Sequence, residues 1–271
     1  VWMACVSGSQ MTVFCRLLGF GYWAFGVLAA IPFAATFAQL LAAVTIERTG
    51  LRKYQFIYFA TAHRLLWIVM AAVGLLLRPG VQTAVLFLCA YAASSVLGNL
   101  SSPPWQTWMG DLIPRRIRGR YFANRAVWTI PIQVSVAVAT GLLLDWLTLP
   151  LPETTPITSA NQPHLRPAIA WLFAVGGAFG TIDILLFLSL REIVSPALLR
   201  QRSPMGLLEN IVVTLQESVR VVVDAFKDRF FRHYALYGAT INFAMAAGGQ
   251  FFWLYALENL GYSKFAANLC F

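Results

Sequence analysis

Long apolar runs separated by short polar turns make up most of the chain. A helix that crosses a bilayer needs about 20 apolar residues, and seven runs approach or exceed that length, followed by the start of an eighth. The predicted spans cover approximately residues 1–18, 22–46, 54–77, 82–109, 121–146 and 231–257, and the sixth ends at 190 after a loop of five prolines at 150–167. The pattern predicts an all-α, polytopic transmembrane helix bundle.

Local features within these runs refine the prediction. Pro103 and Pro104 are expected to kink the fourth span or to end its regular part, because each proline removes a backbone donor. The glycines at 176, 177 and 180 in the sixth span indicate close packing against a neighbouring helix. The first run starts at once and the last run stops soon after it begins, so we expect a fragment cut at both ends.

The segment from 191 to 232 has a different pattern, in which apolar residues recur at helical spacing with polar residues on the other side. The apolar positions are Leu208, Ile211, Val212, Leu215, Val219, Val222, Val223 and Phe226. This pattern predicts an amphipathic helix on the membrane surface or against the bundle. Its role is that of a connector or of a regulatory partner site.

Composition and charge support a membrane protein. Of the 271 residues 59% are hydrophobic and only 11% are charged, against roughly 25% charged residues in soluble domains. The net charge of +9 does not indicate nucleic acid, because the cations lie in turns between apolar runs instead of covering one face. Fifteen of the 20 lysines and arginines lie in the turns after spans 2 and 4 and in the segment after span 6. This bias predicts a cytoplasmic amino terminus.

The turn after span 2 carries a recognisable pattern, Glu47-Arg48-Thr49-Gly50-Leu51-Arg52-Lys53. It resembles the loop between helices 2 and 3 of the major facilitator superfamily of secondary transporters, Gly-x-x-x-Asp-Arg-x-Gly-Arg-Lys, with Ala43 at the first glycine and Glu47 in place of the aspartate. The turn from Asp111 to Arg120 is similar to the helix 4 to 5 loop of many bacterial members. The resemblance implies a cytoplasmic gate made of Glu47, Arg48, Gly50, Arg52, Lys53, Asp111, Arg118 and Gly119. The alternative is that these cations serve topology alone.

An internal repeat points the same way. Shifting the chain by 240 residues aligns Ala4, Gly8, Gln10, Leu17, Gly21, Tyr22 and Phe25 with Ala244, Gly248, Gln250, Leu257, Gly261, Tyr262 and Phe265. Two six-helix halves related as parallel repeats are what the superfamily would show. The resemblance therefore implies an amino-terminal half at 1–190, a cytoplasmic linker at 191–230 and the start of a carboxy-terminal half at 231–271.

In that family helices 1, 4, 7 and 10 line the central cavity, so the resemblance directs attention to their polar residues. The substrate-cavity candidates are Gln10, Thr12, Asn99, Gln106, Asn242 and Gln250. The plainer interpretation of each is interhelical hydrogen bonding. The expected function is movement of a small solute across the bacterial cytoplasmic membrane by alternating access, with H⁺ or Na⁺ as a possible coupling ion. A transporter-fold sensor or scaffold, or a polytopic membrane enzyme, are the alternatives.

The sequence offers no chemistry that indicates a cofactor, a metal or catalysis. His63, His164 and His233 lie far apart, the four cysteines have no paired spacing, and no phosphate-binding loop of the nucleotide-hydrolase type occurs. We therefore expect neither an enzyme nor a metal site.

Two charges lie inside predicted spans, Arg64 in the third and Asp183 in the sixth. Each needs a partner at that depth. Since both lie at a similar distance from the cytoplasmic face, they are expected to form an ion pair. The competing hypothesis turns Arg64 toward the cavity as an anion ligand, with His63 nearby as a possible proton site.

Overall fold

A computed structural model describes residues 2–149, 158–192 and 207–270. Within its helices the side chains at 43, 44, 47–49, 207–212, 214, 215, 218, 246, 247, 250 and 270 lie outside the description. The described residues are helical and contain no strand. The all-α prediction is therefore confirmed for this part of the chain.

The chain forms eleven α-helices and one 3₁₀ turn in the described ranges. They are α1 (Trp2–Val6), α2 (Ser9–Leu17), α3 (Tyr22–Ala35), α4 (Ala38–Thr49), α5 (Arg52–Leu76), α6 (Val81–Leu112), α7 (Arg115–Leu147), α8 (Leu165–Leu186), the 3₁₀ turn Phe187–Ser189, α9 (Leu207–Lys227), α10 (Arg229–Glu258) and α11 (Lys264–Cys270).

Five of the helical stretches are long and apolar enough to cross a membrane in the described ranges. They are Tyr22–Ala42, Arg52–Leu76, Val81–Leu112, Arg115–Leu147 and Leu165–Ser189. Their length and composition are consistent with an integral membrane protein. They correspond to predicted spans 2 to 6.

The turns divide the bundle into two ends. We call the end with the α4–α5 and α6–α7 turns the basic end, and the end with the α2–α3 and α5–α6 turns the opposite end. Backbone contacts hold the opposite end together, since the amide of Gly80 donates to the carbonyl of Leu18 at 3.1 Å. Arg166 at the start of α8 also donates from Nε to the carbonyl of Gly74 at 2.6 Å.

Several predicted boundaries differ from the structure, and the second span is divided into α3 and α4. The first span is divided at Ser7 and Gly8 into α1 and α2. The cationic turn predicted up to Arg120 is instead the first part of α7, because Pro114 ends the preceding turn and the helix begins at Arg115. Helix α6 continues through both of its prolines to Leu112.

The core lies between α2, α5, α6 and α8 and is built from aromatic side chains. The ring of Phe14 meets those of Phe87 and Phe173 edge to face, with centroids 5.8 and 4.9 Å apart. Gly74 permits this arrangement, because a Cβ there would lie 2.1 Å from the Phe14 ring. Burial of these rings is the main stabilising term of the core.

The glycines of α8 bring it into close contact with α5 and α1. A Cβ at Gly177 would lie 3.0 Å from the carbonyl oxygen of Arg64, and one at Gly176 would lie 3.0 Å from Cβ of Cys5. The predicted close helix packing is therefore confirmed.

Helix α9 confirms the predicted amphipathic helix, and it packs against α4 and α10. Within the predicted apolar stripe, Val222 is half-buried, whereas Val219 and Val223 are exposed. The stripe positions Ile211 and Leu215 fall on side chains outside the description. Its orientation along the whole helix therefore stays a prediction.

Candidate functional site

Helices α1 and α2 together form what we call helix 1, the first predicted span. It is interrupted at Gly8, whose backbone adopts φ 76° and ψ −141°. Only glycine takes a positive φ without a steric cost. The interruption leaves the amide of Ser9 outside the helical pattern, and Oδ1 of Asn268 in α11 accepts its hydrogen bond at 3.2 Å. Nδ2 of Asn268 donates to the carbonyl of Ala137 in α7 at 3.0 Å. One amide side chain thus joins three helices at the break.

A cavity of about 240 Å³ lies beside this break, between α1, α2, α3, α5 and α6. We call it the central cavity. Its lining includes Trp2, Val6, Gly8, Met11, Pro32, His63, Trp67, Tyr91, Ser94, Ser95, Gly98 and Asn99. Apolar walls with a few polar groups are typical of small-molecule sites.

His63 is held in a fixed position at the wall of this cavity. Its Nδ1 lies 2.7 Å from the hydroxyl of Ser94 and 2.8 Å from the Ser94 carbonyl oxygen. The Trp2 ring meets its edge with a centroid separation of 5.3 Å. A Cβ at Gly98 would lie 3.3 Å from the imidazole, so glycine makes room for it. The imidazole can exchange a hydrogen bond with a bound solute.

Among the candidates whose side chains the structure describes, Asn99 alone lines the central cavity. Its Oδ1 accepts from Nε2 of Gln39 at 2.7 Å, and its Nδ2 donates to the carbonyl of Ser95 at 2.9 Å. Because one hydrogen of the amide and one lone pair of the oxygen are left over, Asn99 can bind a polar group of a solute.

Gln10 and Thr12, the helix 1 candidates, make contacts within the protein. Gln10 is fully buried and donates from Nε2 to the hydroxyl of Thr140 in α7, while its Oε1 is buried without a partner. Thr12 donates to the carbonyl of Gly8 at 3.3 Å. Both side chains therefore lie in helix contacts, and neither lines the central cavity.

The other candidates lie elsewhere. Gln106 is exposed and donates to the hydroxyl of Ser102 at 3.2 Å, and Asn242 is exposed and donates to the carbonyl of Gly238 at 2.8 Å. The side chain of Gln250 lies outside the description. Asn99 and the other described candidates are thus not brought together in one site.

Two ion pairs at the opposite end join α2 and α7 to α10 and α11. Arg16 of α2 binds Glu258 of α10 through both carboxylate oxygens, with Nη2 and Oε2 2.6 Å apart. Nζ of Lys264 in α11 lies 3.6 Å from the carboxylate of Asp145 in α7. The Asp145 carboxylate also accepts from the amides of Lys264 and Phe265 at 2.8 and 2.9 Å, which caps α11. We call these two pairs the opposite-end latch.

The sequence has Arg16 and Lys264 near the ends of apolar runs, but their partners were not predicted. A signal was available, because isolated cations at the ends of apolar runs need counter-charges. Which carboxylate pairs with which cation depends on how the helices pack, because the partners are far apart in the sequence. Arg16 and Glu258 are 242 residues apart.

At the basic end the gate motif makes local contacts. Gly50 adopts a left-handed conformation with φ 66° and ends α4, and Arg52 forms an ion pair with Asp111 at the end of α6. Lys53 is buried and donates to the carbonyls of Leu188 and Leu190 at 2.8 and 2.7 Å. These bonds tie α5 to α6 and to the end of α8.

The remaining motif residues are Arg118, Gly119, Glu47 and Arg48. Arg118 donates to the carbonyl of Gly110 and thereby satisfies the end of α6. Gly119 has open space around its Cα. The side chains of Glu47 and Arg48 lie outside the description, so the gate role of Glu47 stays a prediction.

Arg64 and Asp183 line a second cleft toward the basic end but form no direct ion pair. The Cζ atom of Arg64 instead lies 3.3 Å from the centroid of the Trp2 ring. The two residues thus share a cleft without a direct ion pair, and Gly180 leaves room for the Arg64 side chain and the Trp2 ring, which both lie close to its Cα.

In the described residues no group of three or more His, Cys, Asp or Glu side chains could hold a metal ion. No protein-family model, no curated protein and no solved structure matches this chain.

Proposed function

We propose that the chain is the amino-terminal part of a secondary transporter of the major facilitator type, which moves a small solute by alternating access between two six-helix halves. Residues 1–190 form the first half, 191–230 the linker and 231–271 the start of the second half. The basic end faces the cytoplasm, in keeping with the retention of positive charge on that side.

The observation that carries the proposal is the uneven contact between the two halves. At the opposite end the latch joins them, and Leu254, Ala256 and Ala267 are buried beside it. Toward the basic end α10 is different, since Tyr234, Leu236 and Phe243 are 74, 68 and 77% exposed. The contact of α10 and α11 with the amino-terminal helices at the opposite end is what a transporter closed at that end would require.

The central cavity supports the same proposal. It lies beside the interruption of helix 1, and broken helices at membrane depth are typical of transporter binding sites. Its polar groups, His63 and Asn99, suit an uncharged or weakly polar solute, with imidazole as a proton carrier for H⁺ coupling. Na⁺ coupling is the alternative outcome of the test below.

The test uses the full-length protein in proteoliposomes, screened with a library of small solutes under an imposed H⁺ or Na⁺ gradient. We expect gradient-driven uptake of at least one solute, because the fold would couple the two fluxes. Asn99→Leu should abolish this uptake, since it replaces the cavity amide by an apolar group. The matched control is Asn124→Leu, on an exposed position of α7.

Two outcomes contradict the proposal. Solute binding without uptake under any gradient would indicate a sensor or scaffold, and chemical conversion of a solute would indicate a membrane enzyme. Equal loss of uptake in both leucine variants would remove Asn99 from the site.

A further inference from the structure

The second cleft is separate from the central cavity and carries an excess of positive charge. It has a volume of about 300 Å³ and is lined by residues of α5, α6, α7 and α8. Two arginines, Arg64 and Arg125, and one carboxylate, Asp183, reach it. The described ionisable lining therefore has a formal charge of +1.

Both guanidinium groups are held by aromatic rings while their N–H groups stay available. Cζ of Arg64 lies 3.3 Å from the centroid of the Trp2 ring, and Cζ of Arg125 lies 4.8 Å from that of Trp105. Among the described residues neither guanidinium makes an ion pair or donates a hydrogen bond, and Nε of Arg64 is buried without a partner. Stacking fixes the planes of the two groups and leaves their edges free for a ligand.

The depth of the cleft makes these unpaired donors costly. Arg125 is ten residues into α7, about 15 Å from the start of the helix at 1.5 Å per residue. Helix α7 has 33 residues and is about 50 Å long, which exceeds a hydrocarbon core of about 30 Å. If α7 is centred in the bilayer, Arg125 lies roughly 5 Å inside the core. An arginine at that depth needs a counter-charge, and one carboxylate cannot supply two.

The chemistry of the lining selects the ligand. Planar guanidinium groups bind phosphate through two parallel hydrogen bonds. The hydroxyl of Ser102 also reaches the cleft and already accepts from Gln106, so its hydrogen is free to donate. The rings of Phe56, Trp105 and Phe187 form apolar walls. We propose that this cleft binds the phosphate group of an amphiphilic anion, held between Arg64 and Arg125 with its apolar part against the aromatic walls.

A phosphate of this kind has two sources, the headgroup of an anionic phospholipid and a soluble phosphorylated compound. The position of Arg125 near the edge of the hydrocarbon core is compatible with either. The test must therefore distinguish them. It does not depend on transport, because binding is measured directly.

The experiment measures the thermal unfolding of the purified full-length protein in a neutral detergent. Three additives are titrated separately, namely phosphatidylglycerol, phosphatidylcholine with the same acyl chains, and inorganic phosphate. We expect a saturable rise in Tm with phosphatidylglycerol or with inorganic phosphate that exceeds the rise with phosphatidylcholine, because a ligand that binds only the folded state stabilises it. The additive that acts identifies the source.

Arg125→Gln should weaken the apparent affinity for that additive by about tenfold or more, since it removes one charge-assisted contact. Arg120→Gln is the matched control, because it removes the same charge from the same helix outside the cleft. If the Arg64→Gln variant folds, its apparent affinity for the additive is a second measurement of the same contact. The proposal is overturned if neither anion exceeds phosphatidylcholine, or if Arg120→Gln weakens binding as much as Arg125→Gln does.

Discussion

The opposite-end latch allows a prediction that does not require the substrate. Replacing Glu258 by Gln removes the negative charge that holds Arg16 while it keeps the size of the side chain. If the latch closes the opposite end, this change should make the central cavity accessible from that side more often. The proposed alternating-access mechanism depends on such a shift between two states.

The size of the effect follows from the burial of the pair. The side chains of Arg16 and Glu258 are 20 and 23% exposed, so the pair lies between a surface pair, worth up to about 1 kcal/mol, and a buried pair, whose disruption costs about 3–5 kcal/mol. Arg16 also keeps other contacts, since it donates to the carbonyl of Phe20 at 3.2 Å and lies over the ring of Tyr22. We therefore expect a loss of about 2 kcal/mol, or roughly thirtyfold in the equilibrium.

Accessibility is measured with a single cysteine at Ser95, which lines the central cavity, in a full-length protein whose four native cysteines are replaced by serine. A membrane-impermeant thiol reagent is added on the side that faces the opposite end. Glu258→Gln should raise the labelling rate by up to roughly thirtyfold, the factor estimated from the ion pair. The charge-swapped double variant Arg16→Glu with Glu258→Arg should restore slow labelling, because it restores the pair.

Arg78→Gln is the control, since Arg78 lies at the same end and its side chain is exposed. An unchanged labelling rate in Glu258→Gln would refute the latch. The same conclusion would follow if Arg78→Gln raised the rate as much, because the effect would then come from net charge at this end.

Three further predictions concern stability and gating. Gly8→Ala should lower Tm in detergent more than Gly26→Ala does. The added methyl carbon at residue 8 would lie 3.1 Å from a neighbouring side chain, and the backbone there has a positive φ, whereas nothing lies within 4 Å of a methyl carbon at residue 26. Lys53→Met should destabilise the folded protein by about 1–3 kcal/mol, because it leaves two carbonyls without their charged donor. Lys227→Met is the control and should have little effect in the same unfolding assay, because Lys227 is exposed. Charge reversal at Glu47 should slow transport and leave membrane insertion intact, and unchanged uptake would remove its gate role.

Hydropathy predicts the long helices well because spanning length and apolar composition are local properties. The third span was expected at 54–77 and is found at Arg52–Leu76. Of the two expected effects of Pro103 and Pro104, an end of the regular helix is excluded because α6 continues to Leu112, and a kink stays a prediction.

The candidate site was less predictable because it depends on which helix faces meet. Sequence reasoning found Asn99, whose helix was assigned to the cavity by resemblance, but it treated His63 mainly as a neighbour of Arg64. It also missed Asn268, Glu258 and Asp145 altogether. Their partners are supplied by helices far away in the chain, and apolar periodicity contains no information about such pairings.

The aligned positions of the internal repeat differ in structure at Gly8. The 240-residue shift equates Gly8 with Gly248, yet α10 continues through Gly248 while helix 1 is interrupted. The same residue type thus permits a break without causing one. The break occurs where a side chain of α11, Asn268, accepts the hydrogen bond of the freed Ser9 amide. Any movement of α11 away from α2 must break that hydrogen bond or carry the first turn of α2 with it. Since Gly8 also lines the central cavity, the contact of α2 with α11 and the shape of the cavity are mechanically linked at this one turn.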